Sequence, residues 1–370
     1  MNEIEINQRA SEVTSEITSG LQGGLYEGIQ GTLRILWDTK ELNAWAESTY
    51  INNKQANHKI TIGYKLAQQL YGISKEYQRF MQLNQDCETF KDSFSYLNTI
   101  PKLPKFDSID SSIENMFLGG LTWVYFHELG HLTQEHQYIR NKFSTNKSTS
   151  PHIEESFSKS YNPPQGKDAA ISHATEFAAD HEAVSYCLGE LFRHFIPREE
   201  IENNAITANS RSEFLNTLFL FVCGLSCTMY LFHGVDTREL TKLPEGSHPE
   251  PIRRLEACIP QLIETLDLFS QSISSLKINR KEIANLCIGA AHSFGYFWRS
   301  RNGNPNTEII NGILQDPHLC SYWGEVIAAW DEIEPFIVSI RWFGTNLGLL
   351  QFTDTIRHKI YNNQQPENTN

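Results

Sequence analysis

The pentapeptide H-E-L-G-H at residues 127–131 constrains this chain more than any other stretch of its sequence. Residues four positions apart lie on the same face of a helix, so the imidazoles of His127 and His131 can bind one zinc ion. Glu128 then points to the side of the ion, where it can accept a proton from an activated water. Residues 119–126 are apolar, which favours a buried helix. A chance match on an ordinary helix is the alternative.

A pair of carboxylates, Glu176 and Asp180, lies in an alanine-rich segment with helical spacing, residues 169–188. The two side chains share one helix face because they are four residues apart. A catalytic zinc needs a third protein ligand, which Glu176 supplies in this interpretation. Asp180 then accepts the Nδ1–H of a ligating histidine and sets its tautomer. The alternative is a solvated acidic face, but alanine and valine on the same face indicate burial, which is costly for unpaired carboxylates.

Four motifs together resemble the gluzincin metallopeptidases of the HtpX and CAAX-prenyl-protease type. Residues 127–136 read H-E-L-G-H-L-T-Q-E-H, and residues 176–180 read E-F-A-A-D. Residues 43–46, N-A-W-A, are similar to the family's N-A-F/W-A signature. Behind this motif, residues 59–66 resemble the strand that precedes the family's next helix. Residues 248–255 resemble its H-P-x-x-x-R element. The resemblance implies a zinc peptidase with a zincin core, and it names no substrate.

The resemblance also implies that the element beginning at His248 lies near the active site. A histidine can donate a hydrogen bond from a ring nitrogen, and Pro249 and Pro251 stiffen the turn into the next helix. We therefore predict that His248 is a second donor to the oxyanion formed during hydrolysis. The alternative is that His248 only caps the helix or shapes the turn. Asn43 is the next candidate donor.

The composition indicates a globular protein in a reducing, cytoplasmic compartment. The net charge of −13 and the lack of a Lys/Arg-rich tract argue against nonspecific binding to nucleic acid. The first thirty residues are polar and contain no apolar core of a secretory signal. The seven cysteines are scattered without C-x-x-C spacing, so we predict free thiols.

Residues 214–232 form the most apolar run, and nineteen residues approach the length that spans a bilayer. Polar residues within the run and balanced charges at its ends favour a buried core helix instead. A membrane-associated protein anchored by this run is the alternative.

The predicted fold class is mainly α (α+β), a gluzincin-type core with a small sheet and a helical extension. We predict a catalytic domain at residues 1–260, a helical extension at 261–360 and a disordered tail at 361–370. The tryptophans of the extension are expected to pack in its core, and a partner-docking surface is the alternative. The metal-motif helix is expected at 113–138 and a loop at 140–168. Residues 60–63 are expected to form a strand that is either an ordinary hairpin strand or an edge strand able to pair with an extended peptide.

Two other histidines, His152 and His173, are weaker candidates for the metal. Glu135 is not expected to bind it, because it lies two helical turns beyond Glu128.

The predicted function is a zinc-dependent metalloendopeptidase that hydrolyses a protein or peptide substrate. His127, His131 and Glu176 are the predicted Zn²⁺ ligands, Glu128 the general base, His248 the second catalytic group and Asp180 the partner of a ligating histidine. Two alternatives remain: a membrane-associated peptidase anchored by residues 214–232, and a non-catalytic zinc-containing regulatory or interaction protein. The presence of Glu128 argues against the latter, since a structural zinc site needs no general base.

Overall fold

The computed structural model describes residues 1–39, 41–48, 55–97, 99–106, 108–145, 153–154, 163–234, 240–303, 317–343 and 349–363. These residues form a mainly helical protein with a small mixed sheet, which confirms that part of the predicted fold class. The longer helices are α1 (Glu3–Leu21), α2 (Tyr64–Asn84), α4 (Ile109–Thr133), α6 (Gly166–Phe195), α8 (Ala208–His233), α9 (Pro251–Ser272), α10 (Arg280–Arg301) and α11 (Pro317–Ile340). The shorter helices are α3 (Glu88–Ser93), α5 (His136–Phe143), α7 (Arg198–Glu202) and α12 (Asp354–Asn363).

The sheet contains β1 (Thr32–Asp38), β2 (Ala44–Ser48), β3 (Asn57–Gly63) and the short β4 (Ile153–Glu154), in the order β1-β3-β2-β4. Strand β3 pairs in parallel with β1 and antiparallel with β2. Of the two alternatives for residues 60–63, the edge strand is therefore wrong. Both sides of their backbone already pair within the sheet, so an extended peptide cannot add there.

Helix α4, which carries H-E-L-G-H, packs between α6 and α8 at very short range. A Cβ atom on Gly130 would lie 3.0 Å from the Cα of Ala179 on α6. A Cβ atom on Gly120 would lie 2.9 Å from the carbonyl oxygen of Gly224 on α8. Glycine at these positions lets the helix backbones approach closely. The first crossing brings the metal motif against the helix that carries Glu176.

Among the described helices, α8 alone is long and apolar enough to cross a membrane, and it contains the run predicted from residues 214–232. However, 78% of its most apolar window is buried by the rest of the chain. The α4–α8 crossing shows how this burial is achieved, since glycines replace larger side chains at the contact.

The C-terminal helices pack onto the rest of the protein. Helix α10 contacts α8 and α9, and α11 contacts α6. Trp323 and Trp330 of α11 are fully buried, as the predicted core packing of this aromatic-rich region requires. The predicted boundary at residue 260 falls inside the continuous helix α9. The final residues of the predicted tail, 364–370, lie outside the described residues.

Candidate metal centre

Three buried side chains converge between α4 and α6. The Nε2 atoms of His127 and His131 are 2.9 Å apart. Glu176 places Oε2 3.3 Å from His127 Nε2 and Oε1 3.4 Å from His131 Nε2. Bonds of about 2.0–2.1 Å in tetrahedral geometry put zinc ligands about 3.3 Å apart. The three donors are spaced to hold a metal ion, and the structure brings together the three residues that the sequence predicted as ligands.

His127 is oriented by a carboxylate from α6. Asp180 Oδ1 lies 2.8 Å from His127 Nδ1, on the side of the ring opposite to the nitrogen that faces the other donors. Arg254 of α9 donates to both carboxylate oxygens of Asp180, at 2.9 and 2.7 Å. The guanidinium holds the Asp180 carboxylate in place, where it can accept the Nδ1–H of His127 and turn Nε2 toward the other two donors.

Asp180 pairs with the second of two consecutive arginines on α9. In the H-P-x-x-x-R element the motif position is Arg253, which contacts Glu250 at 3.1 Å and lies 3.8 Å above the ring of Tyr322. The next residue, Arg254, supplies the contact to Asp180. Both side chains are buried. The sequence contained both arginines, but only the rotation of α9 decides which one reaches the site.

His131 is oriented by a histidine that the sequence analysis missed. The Nδ1 atoms of His131 and His136 are 2.8 Å apart, so one ring donates to the other. Gln134 places its Oε1 3.3 Å from Nε2 of His136. Burial, and next the neighbouring His131, hold the pKa of His136 well below its usual value. A neutral His136 can therefore serve as a partner of His131 without bringing a further positive charge.

Glu176 accepts a hydrogen bond from Arg140 of α5. The Nη2 atom of Arg140 donates to Glu176 Oε1 at 2.5 Å, and its Nε donates to Thr175 Oγ1 at 2.8 Å. Burial raises the pKa of the Glu176 carboxyl. His248 and His131 lower it by a larger amount, so that the pKa lies well below its ordinary value. Glu176 is therefore held as a carboxylate, the form that binds a metal.

A break after the metal-motif helix places α5 beside the site. The predicted helix over 113–138 is wrong at its end, because α4 stops at Thr133 and Glu135 adopts the left-handed conformation, with φ +52°. The carboxylate of Glu135 is buried and accepts hydrogen bonds from Ser48 Oγ at 2.9 Å and Trp342 Nε1 at 2.6 Å. These distant donors stabilise a turn that local sequence does not predict. The turn gives α5 a new direction.

The remaining predicted residues are Glu128, His248 and Asn43, and all three are buried. Glu128 follows His127 on α4 and is fully buried. His248 Nε2 lies 3.7 Å from Glu176 Oε1, and its Nδ1 is 2.8 Å from Ser247 Oγ. Asn43 is buried, and its Oδ1 accepts a hydrogen bond from the backbone N–H of Ala44 at 2.9 Å.

The weaker histidine candidates are not part of the described donor group. His173 lies on α6, outside the predicted loop, and its Nδ1 is 2.7 Å from the hydroxyl of Tyr322. His152 lies outside the described residues.

Comparison of the chain with protein-family models, with curated proteins and with solved structures finds no match. The resemblance to gluzincin metallopeptidases therefore stays a prediction from the motifs.

Proposed function

We propose that this chain is a zinc-dependent metalloendopeptidase of the gluzincin type. The observation that carries the proposal is the buried group of His127, His131 and Glu176, with donor atoms 2.9–3.4 Å apart. Two histidine nitrogens and one carboxylate oxygen are a donor set used by catalytic zinc. Three protein ligands also leave a coordination position for water or substrate, whereas structural zinc sites are usually closed by four.

The partners of the three ligands support a catalytic site. Each ligand contacts a polar side chain outside the donor group: His127 contacts Asp180, His131 contacts His136, and Glu176 contacts Arg140. The partners of His127 and His131 hold the two rings in their binding orientation and set their basicity.

The chain supplies the groups for proton transfer. When bound, zinc supplies Lewis acidity toward the attacking water and the scissile carbonyl. The Glu128 carboxylate accepts a proton from the attacking water and delivers it to the nitrogen of the leaving amine. His248 Nε2 lies 3.7 Å from Glu176 Oε1, from where it can donate toward the developing oxyanion.

The proposal is tested by comparing wild type with Glu128→Gln and Glu264→Gln in cells. New protein N-termini are identified by mass spectrometry, and the zinc content of each purified protein is measured. Glu264 is a matched control because it is an exposed carboxylate on α9, paired with Arg280. We expect equal zinc in all three proteins, with new N-termini from wild type and Glu264→Gln only.

Three results would contradict parts of the proposal. Identical N-termini in cells with wild type and with Glu128→Gln would show that Glu128 has no catalytic role. Zinc bound by all three proteins, with no new N-termini from any of them, would favour the non-catalytic alternative. Zinc that persists in full in Glu176→Ala would show that the third ligand is a different residue, since two remaining ligands bind zinc poorly.

A further inference from the structure

Arg140 is a cation in direct contact with a proposed metal ligand. Its Nη2 donates to Glu176 Oε1 at 2.5 Å, and the same nitrogen lies 3.3 Å from the carbonyl oxygen of Ser172. Its side chain is only 13% exposed, whereas that of Glu176 is fully buried. A contact between two charges in such a place is weakly screened by solvent and salt. It must therefore affect how Glu176 interacts with any other cation.

The position of Arg140 follows from the turn at Glu135. Helix α5 begins at His136, and His136 and Arg140 are four residues apart on one face. His136 reaches His131, and Arg140 reaches Glu176. One short helix thus contacts two of the three proposed ligands.

We propose that Arg140 tunes the metal centre by sharing the carboxylate of Glu176 with the metal, which lowers the affinity for zinc. The inference rests on the proposed function. A guanidinium beside the ligand carboxylate draws part of its negative charge away from the metal, and its own charge repels a divalent cation. A site weakened in this way exchanges zinc more readily and leaves the bound ion more electron-deficient.

A partner that only orients a metal ligand has the opposite effect, because its removal lowers the affinity for zinc. Glu176 does not depend on Arg140 for its orientation. It lies in the interior of the long helix α6 and is enclosed by His127, His131 and His248. Removing Arg140 therefore changes mainly the charge at the site. Its loss is therefore expected to strengthen zinc binding.

The Arg140 contact has a counterpart at the other carboxylate. Arg254 pairs with Asp180 at 2.7 Å, and its Nη2 lies 3.8 Å from Glu176 Oε2. Glu176 therefore faces a guanidinium at each of its two oxygens, but only Arg140 is at hydrogen-bonding distance. Arg254 is not mutated in the test, because it also holds Asp180, the partner of His127.

The test measures zinc affinity of the full chain by competition with a chelator of known affinity. Four variants are compared with wild type: Arg140→Lys, Arg140→Gln, Arg140→Met and Arg211→Met. Lysine keeps the charge, glutamine keeps a donor without the charge, and methionine keeps neither. Arg211 is the matched control, because it forms a partly buried pair with Glu282 between α8 and α10, at 2.6 Å. Thermal unfolding with and without zinc is recorded for each protein.

We expect Arg140→Gln and Arg140→Met to bind zinc about tenfold more tightly than wild type, a change of about 1.4 kcal/mol. Arg140→Lys and Arg211→Met should stay within about threefold of wild type. The melting temperature of the metal-free protein should fall in the two neutral variants, because the ion pair between residue 140 and Glu176 is lost. The increase in melting temperature on adding zinc should be larger than in wild type. If Arg140→Met does not fold, the comparison of glutamine with lysine carries the same test.

The outcomes separate this inference from the proposed function. If the folded wild type binds zinc but both neutral variants bind it equally or less tightly, Arg140 is only an orienting partner and the inference is wrong. If folded wild type and all variants bind no zinc, the proposed function fails, and the inference fails with it.

Discussion

Trp342 donates a hydrogen bond of 2.6 Å from its indole nitrogen to Oε1 of Glu135, across 207 residues of sequence. The backbone N–H of Trp342 also donates to the carbonyl oxygen of Thr133, at 2.9 Å. The segment after α11 therefore holds the turn that ends the metal-motif helix. Through this turn it holds α5, whose His136 and Arg140 contact two of the proposed ligands. The C-terminal helical region is thus connected physically to the metal centre.

We expect Trp342→Phe to destabilise the protein and weaken the metal site together. The change leaves a buried carboxylate with one donor fewer, which costs about 1–3 kcal/mol. Denaturant unfolding gives the stability, and chelator competition gives the zinc affinity. Trp330→Phe is the control, since Trp330 is fully buried on α11 and its indole nitrogen has no partner among the described residues. If both variants change zinc affinity equally, the contact with Glu135 has no special role.

Asp180→Asn should weaken zinc binding by about 10–100-fold without abolishing it, as is usual for partners of ligating histidines. The asparagine amide keeps the size of the side chain, but it loses the charge that holds the Nδ1–H of His127 and pairs with Arg254. Zinc affinity and melting temperature are measured in the same preparation. An unchanged affinity in a folded variant would show that the contact does not orient the ligand.

His248→Ala tests the proposed oxyanion donor. With a substrate identified from the new N-termini, we expect kcat to fall by about 10²–10³-fold, while zinc content and melting temperature stay near wild type. His173→Ala is the comparison, because His173 is also a buried histidine near the site but contacts Tyr322. A loss of stability with kcat retained in the folded fraction would make His248 a structural residue.

Glu182 should make the free energy of unfolding depend on pH. Burial raises the pKa of this carboxyl from 4.5 to about 7, although Thr133 and Gln134 donate hydrogen bonds to it. Because the folded state holds the proton more tightly than the unfolded chain, the stabilising effect is complete below pH 4.5. It is lost as the pH rises through about 7.

The measurement is the difference in unfolding free energy between wild type and Glu182→Gln at several pH values. The glutamine variant should gain relative to wild type by roughly 1–3 kcal/mol between pH 4.5 and 8. The subtraction removes the contributions of other titrating groups that the two proteins share. A difference that does not change with pH would show that Glu182 titrates with an ordinary pKa.

The sequence by itself determined the arrangement within single helices. The four-residue spacing of His127 and His131 places both rings on one face, and the same spacing places Glu176 with Asp180. These relations depend only on helical periodicity, which apolar patterning revealed. Mainly helical architecture followed from the same patterns.

Tertiary structure decided which distant residues meet the proposed ligands. Arg254 reaches Asp180 across 74 residues, and Arg140 reaches Glu176 across 36 residues. The turn at Glu135 and the interior position of β3 likewise depend on partners far away in the sequence. Periodicity describes only neighbours on one element. Contacts between elements are set by the packing of the whole chain, where close helix crossings such as Gly130 against Ala179 fix the rotation of each helix.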